Sequence, residues 1–308
     1  MEQLATNTSF SSRTVDWGVY QIYWSVEGYK AGIQEQMELL GVQDTRNVSG
    51  RKPKYALFFR DLIRDFPKEA VQYNDSLGLE TIVSLEPIVW GRNNKGNYLD
   101  EITRGNWDSY FRKWAQDAKV YGKTIWYRFG YEMNGNWFSW GEQPELFKKA
   151  WIHIHQLFAL EGASNVKWLF APNVLWDTKS AEEDIVPYYP GNEYVDMLGL
   201  DGYNFGDSHK EWHEWRSYEE VFELSIQAMD KIAKTSNPAK PLILSEIGCA
   251  DDERKAQWLQ YFLLNIGTDP RVSGFIYFNY DKRSEGEPNW RLDSDSTSLK
   301  IFQSWIHQ

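Results

Sequence analysis

Two glutamates stand where a carboxyl group could do acid–base work. Glu132 closes the run KTIWYRFGYE, and Glu246 lies in PLILSEIG. Each follows an apolar stretch of strand length, so each carboxyl is expected to project from a rigid strand end into a central cleft. Splitting a glycosidic bond needs such a pair. One carboxylic acid protonates the leaving oxygen, and one carboxylate attacks or stabilises the anomeric carbon. Unequal burial and charge around the two can keep one protonated and the other ionised near neutral pH. A structural role competes with this reading, because Arg128 or Arg60 could neutralise either glutamate in an ion pair.

The elements that must position these groups alternate along the chain. Strand-like runs rich in β-branched and aromatic residues begin at Val15, Lys54, Glu80, Lys123, Val166, Val195, Pro241 and Val272. Helix-period segments fall between them. Tyr110, Trp114 and Ala118 share one face, as do Phe147, Trp151 and Ile154, and Ser217 with Glu220 has capping-box spacing. Further helical segments are read in ERKAQWLQYFLLNIG and in STSLKIFQSWI, which closes the chain. Eight strands alternating with helices predict an α/β protein, a single (β/α)8 TIM barrel, over residues 15–308, with residues 1–14 as an N-terminal extension. A doubly wound open sheet is the rival, but no Gly-rich phosphate loop follows the first strand. In a barrel, chemistry gathers at the strand ends. Here these carry Arg60 and Asp61, Glu86 and Trp90, Arg128 through Glu132, Asn173 and Trp176, Asp201 and Tyr203, Glu246, and Asn279 with Tyr280.

Composition narrows the partners. The 308 residues carry 33 basic and 44 acidic side chains, a formal net charge of -11, which disfavours nucleic acid and anionic membrane surfaces. No run approaches a transmembrane span, and MEQLATNTSFSSR lacks the basic start and apolar stretch of a secretory leader. One cysteine, Cys249, excludes an intramolecular disulfide and a thiolate metal cluster. The chain has 16 Trp, 18 Tyr and 16 Phe, and aromatic faces stack on the C–H faces of sugar rings.

Several motifs together resemble glycoside hydrolase family 26, a family of β-mannanases, mixed-linkage β-glucanases and β-1,3-xylanases. Arg128-Phe129-Gly130-Tyr131-Glu132-Met133-Asn134-Gly135, running on to Trp137-Phe138-Ser139-Trp140-Gly141, is similar to its acid/base motif. Trp17-Gly18-Val19-Tyr20, Glu86-Pro87, Ala171-Pro172-Asn173, Asp201-Gly202-Tyr203-Asn204, Ser245-Glu246-Ile247-Gly248 and Asn289-Trp290-Arg291-Leu292-Asp293-Ser294 extend the likeness over most of the chain. The resemblance implies Glu132 as acid/base and Glu246 as nucleophile of a retaining endo-β-glycanase. Trp137, Tyr203, Trp290 and Arg291 would then line the subsites around the cleaved bond. Tyr131, Glu86, Trp90, Trp176 and Asn173 are further substrate-binding candidates. The family usually has His before the acid/base glutamate, and this chain has Tyr131, which bears on the choice of sugar.

The expected substrate is β-1,4-mannan, with mixed-linkage β-1,3-1,4-glucan or β-1,3-xylan as alternatives. No metal and no organic or redox cofactor is expected, and the chain is read as a monomer acting on a polysaccharide or oligosaccharide. A polymeric substrate implies an extracellular site of action. Two other classes compete, a non-catalytic polysaccharide-binding barrel and an interaction protein with aromatic-rich loops. His153 and His155, two apart on a helix, diverge and are read as packing residues. His209 and His213 have metal-like spacing but no third ligand, and Trp212 and Trp215 beside them could wall a distal subsite. Trp24, Trp90, Trp107 and Trp176 follow strands as candidate platforms, whereas Trp114, Trp151, Trp258 and Trp305 fall on helical stripes and are expected in the core. Cys249, without a paired His, is read as a buried hydrophobe.

Overall fold

The computed structural model describes residues 10–11, 13–42, 50–92, 97–175, 180–208 and 214–308. Strands β1 (Asp16–Tyr20), β2 (Pro53–Asp61), β3 (Glu80–Glu86), β4 (Ile125–Phe129), β5 (Val166–Phe170), β6 (Met197–Asn204), β7 (Leu242–Cys249) and β8 (Gly274–Tyr277) form a closed parallel barrel in sequence order. β1 pairs with β8 through Trp17 and Phe275, which closes the ring. Each start read from the sequence lies within two residues of its strand.

Among the described residues the helices are α1 (Val26–Leu39), α2 (Lys68–Ser76), α3 (Tyr98–Thr103), α4 (Asp108–Tyr121), α5 (Pro144–Glu161), α6 (Ala181–Asp184), α7 (Tyr218–Ala233), α8 (Lys255–Thr268) and α9 (Ser296–Ile306). The Ser217–Glu220 capping box opens α7 as its spacing predicts. α5 ends on Gly162, whose left-handed φ of 76° lets its N–H turn back to the last carbonyls. α5 buries Phe147, Trp151, Ile154, Leu157 and Phe158, and each such aliphatic or phenyl side chain contributes about 1.5–3 kcal/mol. Among the described residues, no helix is long and apolar enough to cross a membrane.

Side chains alternate in and out along each strand, so two apolar clusters form. Ala56, Phe58, Trp168, Phe170, Phe275 and Tyr277 belong to the layer between barrel and helices. Tyr55, Leu57, Leu169, Met197, Ile243 and Ile276 belong to the inner cluster. Followed upward, the inward parity turns polar. Ile82 is succeeded by Ser84 and Glu86, Leu57 by Phe59 and Asp61, and Leu169 by Ala171 and Asn173. The polar residues thus reach the carboxyl ends of the strands, where the loops open.

The foot of the barrel is tied by arginines. Arg13 donates to the carbonyls of Gly267 at 3.2 Å and Val272 at 2.8 Å. Arg51 donates to Arg13 O at 2.7 Å and Trp305 O at 3.2 Å, and its guanidinium lies over the Trp305 ring. Of the segment read as an extension, residues 1–9 and 12 lie outside the described residues.

Candidate active site

The loop after β4 holds its glutamate by backbone conformation. Gly130 has φ 54°, and its N–H bonds to Leu85 O at 2.9 Å. Glu132 has φ 50°, left-handed backbone that costs a residue with a Cβ about 1–3 kcal/mol. Surrounding bonds impose it. Glu132 N–H bonds to Ala171 O at 2.8 Å, Gly135 N–H bonds to Glu132 O at 3.0 Å, and Trp140 Nε1 bonds to Tyr131 O at 2.8 Å.

The Glu132 carboxyl accepts from Trp137 Nε1 at 2.7 Å and from Asn173 Nδ2 at 2.9 Å. Neither donor is a cation. Burial and the nearby charge of Glu246 raise its pKa to about 7, against the two hydrogen bonds and the more distant Arg128. Asn173 is itself clamped, since Asn134 Oδ1 accepts from its N–H at 2.8 Å and Asn134 Nδ2 donates to its carbonyl at 3.0 Å. Trp137 is 47% exposed, so its indole N–H fixes the acid while part of its ring stays open.

Glu246 has the opposite surroundings. Arg128 Nη1 donates to one oxygen at 2.5 Å and Tyr203 Oη to the other at 2.6 Å. Arg128 is fully buried and also donates to Ser84 Oγ at 2.8 Å and to Asp201. Burial works against its charge, but Asp201 and Glu246 outweigh that and hold its pKa above the ordinary arginine value. Burial, then Glu246, pushes the Tyr203 hydroxyl well above its usual pKa, so it stays a donor. A bulge aims Glu246. Leu200 pairs with Leu244 and Asp201 with Glu246, so Ser245 has no counterpart on β6. Ser245 Oγ instead donates to Asp201 at 2.6 Å. Of the two arginines named from sequence, Arg128 neutralises Glu246, whereas Arg60 lies over the Tyr23 ring.

The third buried glutamate, Glu86, accepts from Tyr131 Oη at 2.6 Å and from Trp90 Nε1. Burial raises its pKa, against those two hydrogen bonds. The Arg128 guanidinium lies 4.3 Å from the Tyr131 ring centre. Glu132, Glu246, Tyr131, Glu86, Asn173, Trp137 and Tyr203 therefore form one contiguous constellation. Trp90 is attached to its edge.

Two candidates stand differently. Trp290 is 1% exposed and packs on Tyr203 and Phe205, with ring centres 4.8 and 5.0 Å apart, so it backs Tyr203 rather than offering a face to sugar. Gly248 makes room for this, since a Cβ there would sit 2.9 Å from Tyr203 and 3.0 Å from Trp290. Arg291 lies at the rim, paired with Asp293 at 2.8 Å and with Glu35 of α1 at 3.7 Å. Trp176, Trp212, His209 and His213 lie outside the described residues. Trp107 is no platform. It precedes α4, packs on Tyr98 and Tyr110, and donates to Glu101 at 2.9 Å.

The helix histidines, the helical tryptophans and the cysteine are placed as follows. His153 meets Asp108 at 2.6 Å and His155 packs on Trp168 and Tyr194. Trp114, Trp151, Trp258 and Trp305 are buried, as is Cys249, whose thiol pKa burial pushes up. Asn134 and Ser84 were missed as site residues, and only the first carried a signal, its place in the Glu132 motif. Among the described residues, no cluster of His, Cys, Asp and Glu could hold a metal ion.

Residues 107–267 match the profile described as Glycosyl hydrolase family 26. Endoglucanase H of Acetivibrio thermocellus is 29% identical over 303 residues, an alignment covering 92% of this chain and 31% of that protein. A mannan endo-1,4-beta-mannosidase of Bacillus subtilis strain 168 is 28% identical over 143 residues, covering 43% of this chain and 33% of that one. The chain thus spans about a third of the length of each of these two relatives. In fold it is similar to the catalytic domain of the Bacillus sp. JAMB-750 GH26 endo-beta-1,4-mannanase, with TM-score 0.69, 18% identity, 97% of this chain and 87% of that one covered.

Proposed function

Because this chain belongs to glycosyl hydrolase family 26, we propose that it is a retaining endo-β-glycanase whose acid/base is Glu132 and whose nucleophile is Glu246. The observation that carries the assignment is the unequal treatment of the two carboxyls. Glu132 touches only neutral donors and has its pKa lifted to about 7, whereas Glu246 is held by a buried guanidinium and a phenol. The first is kept as an acid near neutrality, and the second lies against a fixed positive charge.

The reaction then runs in two steps. Glu132 gives its proton to the glycosidic oxygen as a Glu246 oxygen bonds to the anomeric carbon and the carbon–oxygen bond breaks. The leaving chain departs with its new hydroxyl, and Glu132 is left ionised. It next takes a proton from water, whose oxygen bonds to the anomeric carbon and releases Glu246. Arg128 and Tyr203 steady Glu246 as its charge is lost and regained. Trp137 and Asn173 favour the ionised form of Glu132 that the second step requires.

β-1,4-Mannan is the leading substrate, in line with the mannosidase and mannanase among the relatives. A β-glucan is the second reading, favoured by two observations. The alignment with Endoglucanase H spans 92% of this chain, and Tyr131, bonded to Glu86, departs from the family's usual His. Reducing-end release from mannan, mixed-linkage glucan and β-1,3-xylan, measured in parallel, tests both. Fastest release from mannan supports the first, fastest release from glucan supports the second, and release from none overturns the hydrolase reading. We further propose that the chain acts as a monomer, and that it acts outside the cell because a polymeric substrate cannot cross a membrane.

A further inference from the structure

Among the described residues at the strand-end face, the most exposed large apolar side chain is Trp24, in the loop between β1 and α1, at 69% exposure. Exposed residues such as Val120, Leu160, Leu224 and Tyr261 lie singly on the outer helices and need no explanation. Trp24 is not single. Its ring centre lies 5.3 Å from that of Trp90 at 65° between planes, so two indoles from the first and third βα loops meet as a corner. Trp90 is anchored, with its N–H on the Asp61 carboxylate at 2.8 Å and its indole N–H on Glu86. Through Glu86 and Tyr131 the corner is continuous with the Arg128–Glu246 pair.

We propose that Trp24 and Trp90 form an aromatic subsite that stacks a sugar unit of the substrate chain remote from the bond being cleaved. This rests on the glycanase reading above. A sugar fits the corner better than a protein partner does. Two indoles supply at most roughly 300–500 Å² of contact, whereas a stable protein interface takes ~800 Å² from each side. A neutral ligand also suits a chain of net charge -11, where an anionic one would be repelled. Trp24 belongs to substrate length selection and not to the chemistry, because its contact with the nucleophile passes through four intervening side chains.

The test compares wild type with Trp24→Ala and Trp24→Phe on two substrates of the linkage the enzyme cleaves, a hexasaccharide and an aryl β-disaccharide. The ratio of kcat/KM for the hexasaccharide to that for the disaccharide should fall about two- to tenfold in Trp24→Ala, mainly through KM, the size of one lost aromatic stacking contact. Trp24→Phe, which keeps a ring, should recover most of it. An unchanged ratio, or an equal fall on both substrates, would overturn the subsite. If wild type cleaves no polysaccharide, the glycanase reading has failed, and affinity electrophoresis in mannan and mixed-linkage glucan gels decides the platform separately. Retardation of wild type that Trp24→Ala loses supports a sugar platform, and equal mobility removes it.

Discussion

Trp137→Phe should move the alkaline limb of activity upward. The indole N–H of Trp137 donates to Glu132 Oε2 at 2.7 Å and is one of the two hydrogen bonds that hold down a pKa otherwise raised by burial and by Glu246. A hydrogen bond to an ionised acceptor is worth about 1.5–3 kcal/mol, against roughly 0.5–1.5 kcal/mol to a neutral one. Losing it therefore disfavours the ionised form by about 1–1.5 kcal/mol, close to one pKa unit at ~1.4 kcal/mol per unit. Trp137 is 47% exposed, so water takes over part of the bond. The expected rise is then about 0.5–1 unit. The sign follows from the role. Glu132 must be protonated in the first step, so kcat/KM falls as pH rises through its pKa in the free enzyme. Wild type should lose kcat/KM above about pH 7, and Trp137→Phe should hold it to higher pH. Profiles of kcat/KM between pH 4 and pH 10 on one soluble oligosaccharide (a range of about six units) would show this. A limb that stays put, or moves down, would refute the assignment of that limb to Glu132.

Three other outcomes follow from the same contacts. Glu246→Gln removes the carboxylate that repels ionisation of Glu132, so the Glu132 pKa should drop below about 7, measured by carboxyl NMR titration in this inactive variant. Arg128→Met leaves Glu246 and Asp201 buried without their cation, and the loss should be about 3–5 kcal/mol in urea unfolding at neutral pH. Tyr131→Phe strips a donor from buried Glu86 and should cost about 1–3 kcal/mol in stability. On the true substrate it should also lower kcat by roughly one to two orders of magnitude, and Tyr131→His, which restores a polar ring, should recover more of that rate on mannan than on glucan.

The barrel is legible in the sequence because its strands are short apolar runs with abrupt polar ends. α1 does carry a helical stripe, Val26, Tyr29, Ile33 and Met37, which a reading led by the strands passes over, whereas the nine residues KEAVQYNDS of α2 set few apolar side chains among polar ones. They become helices by packing Tyr29, Ile33, Ala70 and Val71 against the barrel. Glu132 and Glu246 are legible as strand-end carboxyls, but their roles depend on cross-barrel partners. Arg128 reaches Glu246 across 118 positions of sequence, and no local pattern encodes that. The left-handed backbone of Glu132 and the bulge at Ser245 are likewise set by neighbouring strands. Trp290 is offered as a subsite residue by the family resemblance alone, and sequence does not show the Tyr203 and Phe205 rings that cover it.

The most direct test of the account is to trap the covalent intermediate. An activated aryl 2-deoxy-2-fluoro-glycoside of the sugar the enzyme hydrolyses slows the second step more than the first, so the glycosyl-enzyme accumulates. Peptide mapping by mass spectrometry should place one added glycosyl group on Glu246, in the segment PLILSEIG. An adduct on Glu132 or on another residue, or rapid turnover through an inverted product with no adduct, would contradict the assignment.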